Sequence, residues 1–223
     1  MKTIGIIAAM ESEMLAMTEQ MKITSVQTFA GLPYYAGTIR DVPVVLCVCG
    51  VGKVNAAMHT QILIDRFSPD LIVQNGVAGS LCADVGYFDL VVGRELVYHD
   101  MQSWVLRQFE PLAESYAANE KMVKIASETI PDCKIGRIAT GDQFISDPDD
   151  RMRIAEKTGA LCTEMEGCAV AHTATLNGVP FLVLRAISDM ADGSATEDFP
   201  TFTRKAADRA VAILLELLPK LAV

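Results

Sequence analysis

Short apolar runs rich in Val, Ile and Leu alternate along this chain with stretches of helical spacing, and the runs end in glycine or a polar residue. A chain patterned this way is constrained to pack helices against a largely parallel or mixed sheet. Residues 3–9 read as a first buried strand. Residues 11–21 read as a helix with Glu11 and Glu13 in its first turn, where the helix dipole favours carboxylates. Residues 33–40 and 42–49 read as paired strands around Asp41 and Pro43, and a helix from Gly50-Val-Gly-Lys53 runs to Phe67, where Ser68-Pro69 stops it. Further strands are expected at 71–74, 89–98, 134–140, 160–163 and 179–184. Helices are expected at 116–130, 149–158, 166–176 (capped by Asn177-Gly178) and 202–221. Residues 101–115 give no clear pattern and read as a loop. With 223 residues, 51% of them hydrophobic, and no linker, repeat or low-complexity segment, the expectation is one α/β domain spanning 1–223, with a mixed central sheet flanked by helices.

Charge and cysteine usage narrow the function classes. The net charge is −9, from 19 Lys and Arg against 28 Asp and Glu, and no basic cluster stands out. Nucleic acid and anionic membrane are therefore not expected as partners. No apolar run reaches membrane-spanning length. The apolar N-terminus is too short for a secretion signal and is followed at once by acidic residues. None of the six cysteines (Cys47, Cys49, Cys82, Cys133, Cys162, Cys168) forms a C-x-x-C pair, and His59, His99 and His172 have no ligand spacing relative to them. Reduced thiols in a cytoplasmic protein, and no metal site, are the expectation.

The chemistry-bearing residues gather where strands end, which is where α/β folds bind ligands. Arg185-Ala-Ile-Ser-Asp189 follows one apolar run, Met10-Glu-Ser-Glu13 another, and Thr163-Glu-Met-Glu166 a third. Together they suggest one acidic site built from distant parts of the chain. Each feature has a plainer reading. Glu11 and Glu13 suit any helix start, and Arg185 can simply neutralise an acid. Gly50-Val-Gly-Lys53 lacks the spacing of a P-loop and serves equally as a tight turn or a ligand contact. Asn75-Gly-Val-Ala-Gly79 is open in the same way. Glu164 and Glu166 are harder to dismiss, because a carboxylate pressed against a core needs a partner, and a ligand hydroxyl would serve. Asp189 is the strongest single candidate. His99 reads as structural, and Trp104 and Phe109 as part of a lid or an interface.

Six segments, Ile4-Gly-Ile-Ile-Ala-Ala-Met-Glu-Ser-Glu13, Gly50-Val-Gly-Lys-Val54, Asn75-Gly-Val-Ala-Gly79, Gly141-Asp-Gln-Phe-Ile145, Glu164-Met-Glu166 and Arg185-Ala-Ile-Ser-Asp189, stand in an order and spacing that resembles the 5'-methylthioadenosine/S-adenosylhomocysteine nucleosidases of the purine nucleoside phosphorylase superfamily. The resemblance spans nearly the whole chain. It implies a nucleoside phosphorylase-like fold and a homodimer. The implied reaction is hydrolysis of the N-glycosidic bond of a 5'-thioadenosine by water, with no metal or organic cofactor. It further implies that Asp189 is the general acid at N7 of adenine, with Ser188 orienting it, and that Glu13 activates the water. Glu166 would hold the ribose hydroxyls, Met165 would pack beneath the sugar, and Arg185 would lie near Glu166 and the water. Phe144 would stack on adenine, and Ile145 and Gly79 would meet the base through their backbone. Met10, Val51, Val77 and Phe199 would complete the substrate pocket, Val51 and Phe199 at the 5' group.

The first strand leads to Glu11 and Glu13 rather than to an Arg-bearing loop, which favours water over phosphate as acceptor. The chain departs from the family pattern at Val77, where Ser is frequent. It departs again over 101–118, where typical members carry a Gly/Tyr-rich loop with a Pro that enters the partner's 5' pocket. A different 5'-modified adenosine such as an aminodeoxyfutalosine, a phosphorolytic reaction, or a nucleoside-binding protein without catalysis are the rival readings.

Overall fold

Every residue of β1 (Ile4–Ala8) is buried. A strand covered on both faces reads as unbroken apolar sequence, because there is no solvent face to demand alternation. β1 pairs in parallel with β4 (Val42–Val48) on one side and β5 (Leu71–Ser80) on the other. This computed structural model describes residues 1–192 and 199–223, with side chains from 201 onward in the second segment.

From β5 the sheet closes on itself. β10 (Phe181–Asp189) joins β5 in parallel and β6 (Leu90–Tyr98) antiparallel. β6 continues in parallel to β8 (Lys134–Thr140), β8 in parallel to β9 (Cys162–Glu164), and β9 returns antiparallel to β5. The result is a five-stranded ring. An open arm leaves it through β1 and β4 and ends in the antiparallel strands β3 (Leu32–Ile39) and β2 (Lys22–Phe29). A short β7 (Ser115–Ala117) pairs with β6.

Helices cover both faces, as the alternating pattern requires. α2 (Lys53–Phe67) packs on α6 (Gly167–Leu176), whose Cys168, Ala169, Ala171 and Ala174 are small enough to let the backbones approach. α7 (Phe199–Leu221) covers β10 and β5. The N-terminus of α4 (Glu120–Thr129) is capped by Asn119, which accepts from the N–H groups of Lys121 and Met122. α5 (Pro148–Thr158) is capped by Asp147, begins with Pro148 and ends at Gly159 in the left-handed region. All three features are standard start and stop chemistry.

Four sequence expectations need correction. Residues 11–21 do not form one helix: a 3-10 turn at Glu11–Glu13 is followed by the one-turn α1 (Leu15–Thr18). The cause is Glu13, whose side chain folds back onto the N–H groups of Ala9 and Met10. The helix expected from 116 starts at Glu120, because Ser115–Ala117 is taken by β6. The unpatterned stretch holds a short helix, α3 (Ser103–Gln108). β5 and β10 run on to Ser80 and Asp189, well past the points where glycine and arginine suggested they end.

Candidate active site

Because β5 and β10 continue, the polar residues expected at strand exits lie inside the strand pair. Gly76 stands opposite Arg185 in the register. A side chain at Gly76 would collide with the Arg185 guanidinium and fall 2.6 Å from Glu13 Oε1. The missing Cβ is the space in which arginine and carboxylate meet. Two pairs further along, the register slips between Ile187 and Asp189. Such a bulge re-aims the side chains beside it, here Ser188 and Asp189. Gly79 lies opposite Asp189, and a Cβ there would fall 2.7 Å from Asp189 Oδ1.

These residues wall a cavity of about 230 Å³. Glu13, Met10, Val51, Val77, Gly79, Phe144, Ile145, Met165, Glu166, Arg185, Ser188 and Asp189, all expected from the sequence, line it. Phe144 and Val51 stand at its rim, about half exposed, whereas Ile145 is buried. Phe199 opens α7, but its side chain lies outside the described residues.

Among the described residues four carboxyl groups share this space with one guanidinium, and their hydrogen bonds separate their roles. Glu13 is 1% exposed. Its Oε2 accepts from the N–H groups of Ala9 and Met10, both at 2.9 Å, and its Oε1 from that of Val77 at 3.0 Å. A carboxylate offers about four lone-pair positions, so roughly one remains for a ligand or water. Glu166 Oε1 accepts from the Gly52 N–H at 2.8 Å, while its Oε2 lies 3.4 Å from Arg185 Nη2. Lone pairs are left on both oxygens. Glu164 is different. Its Oε2 takes the N–H groups of Glu166 (2.9 Å) and Gly167 (2.7 Å) together with Arg185 Nη2, and its Oε1 takes the Thr140 hydroxyl. No ligand hydroxyl is needed to satisfy it: Glu164 is the counter-ion of Arg185. Arg185 Nη1 also donates to the Val77 carbonyl at 3.2 Å.

Asp189 accepts from the Ser188 hydroxyl at 2.9 Å and from the Ala191 N–H at 2.9 Å. Burial raises its pKa above the ordinary aspartate value, against the opposing pull of those two bonds. Burial also raises Glu13, outweighing the Arg185 charge and the three backbone N–H groups. Glu166 is pushed up to about 7, first by burial and then by the neighbouring Glu164 charge, with Arg185 and the Gly52 N–H opposing. Burial works against the charge of Arg185, yet the surrounding carboxylates hold it above its usual value. Carboxyls whose pKa burial raises, gathered in a cleft, are equipped to give and take protons.

Sequence reasoning passed over Thr140, which holds Glu164 and also accepts from the Cys168 N–H at 2.8 Å. Thr163 and Gln143, which stand in segments the sequence singled out but were given no role there, also line the cavity wall. Thr140 carries no sequence signal, since a threonine at a strand end is ordinary. Among the described residues no group of three or more His, Cys, Asp or Glu side chains is arranged to hold a metal ion.

Residues 3–219 match the model of the phosphorylase superfamily. The 5'-methylthioadenosine/S-adenosylhomocysteine nucleosidase of Oceanobacillus iheyensis is 35% identical over 98% of this chain and 100% of its own length. Among solved structures, S-adenosylhomocysteine nucleosidase from Streptococcus pyogenes, in complex with 5-methylthiotubericidin, superposes with a TM-score of 0.94 at 32% identity, covering 100% of this chain and 98% of that one. Futalosine hydrolase of Helicobacter pylori strain 26695 superposes with a TM-score of 0.92 at 29% identity, covering 98% of each chain. The fold is thus shared over nearly the whole chain with these enzymes, and by the matched model and the identity to its relatives the chain belongs to the phosphorylase superfamily and, within it, to the family of the 5'-methylthioadenosine/S-adenosylhomocysteine nucleosidases.

Proposed function

We propose that this chain, as one nucleosidase domain over 1–223, hydrolyses the N-glycosidic bond of 5'-methylthioadenosine and S-adenosylhomocysteine, releasing adenine and the 5-thioribose product. The observation that carries the reading is that Asp189 and Glu13, far apart in sequence, line one cavity with different hydrogen-bond environments. Asp189, whose raised pKa favours the protonated form, gives its proton to N7 as the C1'–N9 electron pair passes to the base. The ribosyl group becomes oxocarbenium-like, and the surrounding carboxylates favour that positive charge. A water attacks C1' from the face opposite the base, and its proton goes to the free lone pair of Glu13. The division of labour parallels that of inverting glycosidases. Glu166 accepts from the ribose hydroxyls, and Met165 packs under the sugar. Phe144 and Ile145 take the adenine, with Gly79 and Ser188 beside it, while Met10, Val51, Val77 and Phe199 surround the rest of the nucleoside.

Water is favoured over phosphate because the cavity offers one arginine, already committed to Glu164 and to the Val77 carbonyl, and a phosphate would meet four carboxyls. No metal or organic cofactor enters these steps. A second reading keeps the same bond but changes the 5' substituent. The likeness to a futalosine hydrolase favours it, as does the departure of 101–118 from the family pattern. We also read the protein as a cytoplasmic homodimer. Trp104, Phe109 and Leu112 are all close to half exposed or more on that same segment, and an apolar surface of this kind suits a second copy. The cysteines are free thiols, as a reducing compartment requires.

Liquid chromatography of products from purified protein incubated with a panel of 5'-modified adenosines, with and without phosphate, tests the reading. Phosphate-independent adenine release from the thio substrates is expected. Phosphate-dependent ribose 1-phosphate would overturn hydrolysis, and exclusive turnover of an aminodeoxyfutalosine would establish the second reading.

A further inference from the structure

Outside the cavity, Lys53, Asp100 and Asp142 form a closed hydrogen-bonded ring. Lys53 Nζ donates to Asp100 Oδ2 at 2.6 Å and lies 3.6 Å from Asp142 Oδ2. The Asp142 N–H donates to Asp100 Oδ2 at 2.9 Å, and the Lys53 N–H to Asp142 Oδ1 at 2.8 Å. Lys53 Nζ also lies 5.5 Å from the Tyr98 ring centroid, which steadies its stem. Burial opposes the charge on Asp100, yet the Lys53 and Asp142 bonds hold its pKa below the ordinary value.

The ring joins two walls of the site. Gly52, next to Lys53, gives its N–H to Glu166. Asp142 opens the loop whose next three residues, Gln143, Phe144 and Ile145, line the cavity. Gly52 has φ +98 and a Cβ there would fall 3.2 Å from Asp142 Oδ1, so the glycine itself makes room for the junction. We propose that Lys53, Asp100 and Asp142 are positioning residues: a clamp that sets the separation between the carboxylate serving the sugar and the loop serving the base. This rests on the nucleosidase reading and deepens it. The clamp variants keep the Glu166 carboxylate and its Gly52 bond, so what loosening the clamp removes is chiefly the fit of base and sugar that ground state and transition state share. Such a loss appears in KM rather than kcat.

The test compares Lys53→Met, Lys53→Arg and Asp100→Asn with the parent protein on 5'-methylthioadenosine, alongside calorimetric binding of adenine. Lys53→Met is expected to raise KM about tenfold with kcat changed less than about threefold, the change that corresponds to about 1.4 kcal/mol of uniform binding. Adenine binding should weaken by a similar factor, and Lys53→Arg should return both to within about twofold of the parent. Asp100→Asn should reproduce the KM effect, and it decides the matter if Lys53→Met fails to fold. A KM within about twofold of the parent in both variants would overturn the clamp. If the parent releases no adenine from any substrate, the nucleosidase reading fails on its own. The clamp is then judged by hydrogen exchange of residues 141–145, which must quicken in Lys53→Met and not in Lys53→Arg. Unchanged exchange would overturn it.

Discussion

Gly76 and Arg185 face each other across the β5–β10 pair, and the guanidinium occupies the volume a side chain at Gly76 would need. The consequence is a buried arginine held between Glu164, Glu166 and Glu13 with no room to retreat. Gly76→Ala should therefore act as an overpacking change, costing about 1–3 kcal/mol of stability. It should also reduce activity sharply, because the only escape moves Arg185 or Glu13. Denaturant unfolding and adenine release measure the two effects. A stable, fully active Gly76→Ala would show that this space is slack.

Asp189→Asn should lower kcat by about 10²–10⁴-fold, the usual worth of a positioned acid, while leaving the fold intact. The stability effect has a definite sign. The folded pKa of Asp189 lies above its unfolded value, so the group favours folding below the unfolded pKa, and that contribution is lost as pH rises through the folded pKa. Once pH has risen through that folded pKa, the parent carries a buried charge that asparagine lacks. Relative to the parent, Asp189→Asn should thus gain in unfolding temperature as pH rises through that pKa, and the gap should close at acid pH. A variant with near-parental turnover would sink the assignment of the acid.

The sheet strands with two covered faces were legible, because unbroken apolar runs leave little else to be: β1 and β4 fall where the sequence places them. β2 escaped notice because almost all of it is exposed, so it has no buried face to impose alternation. The ends of β5 and β10 were misjudged because glycine and arginine look like breakers when read singly. They are compatible with strand only as a cross-strand pair, which a linear reading does not contain. The site residues were legible through their carboxyls and through the family resemblance. The resemblance alone gave the ribose role to Glu166 and none to Glu164; what the residues themselves left hidden was the reason for that partition. The two differ only in what accepts and donates around them, and Thr140, which holds Glu164, is 24 residues away in sequence.

Ser188→Ala should move the basic limb of the kcat/KM profile to higher pH. The Ser188 hydroxyl donates to Asp189 and favours its ionised form, thereby lowering its pKa. Without that bond the acid keeps its proton longer as pH rises. One hydrogen bond worth about 1 kcal/mol corresponds to a shift of somewhat under one pH unit. The limb is read from adenine release across pH 5–10. A limb that stays put, or moves to lower pH, would separate Ser188 from control of the acid.

Glu164→Gln and Glu166→Gln should fail in opposite ways. Glu164 is saturated by Thr140, two backbone N–H groups and Arg185. Removing its charge leaves a buried guanidinium without its main counter-ion, a loss of about 3–5 kcal/mol by the precedent of broken buried pairs. Glu166 keeps lone pairs free and holds one backbone N–H, with Arg185 at the longer distance of 3.4 Å. Its amide should fold with little loss, and the removal of its raised pKa even lessens the burial penalty at pH 8. Its cost should fall on turnover, because hydrogen bonds from sugar hydroxyls to a carboxylate strengthen as positive charge develops on the ring. Unfolding midpoints and kcat measured side by side distinguish the pair. Equal loss of stability in both variants would mean that the arginine leans on the two glutamates alike.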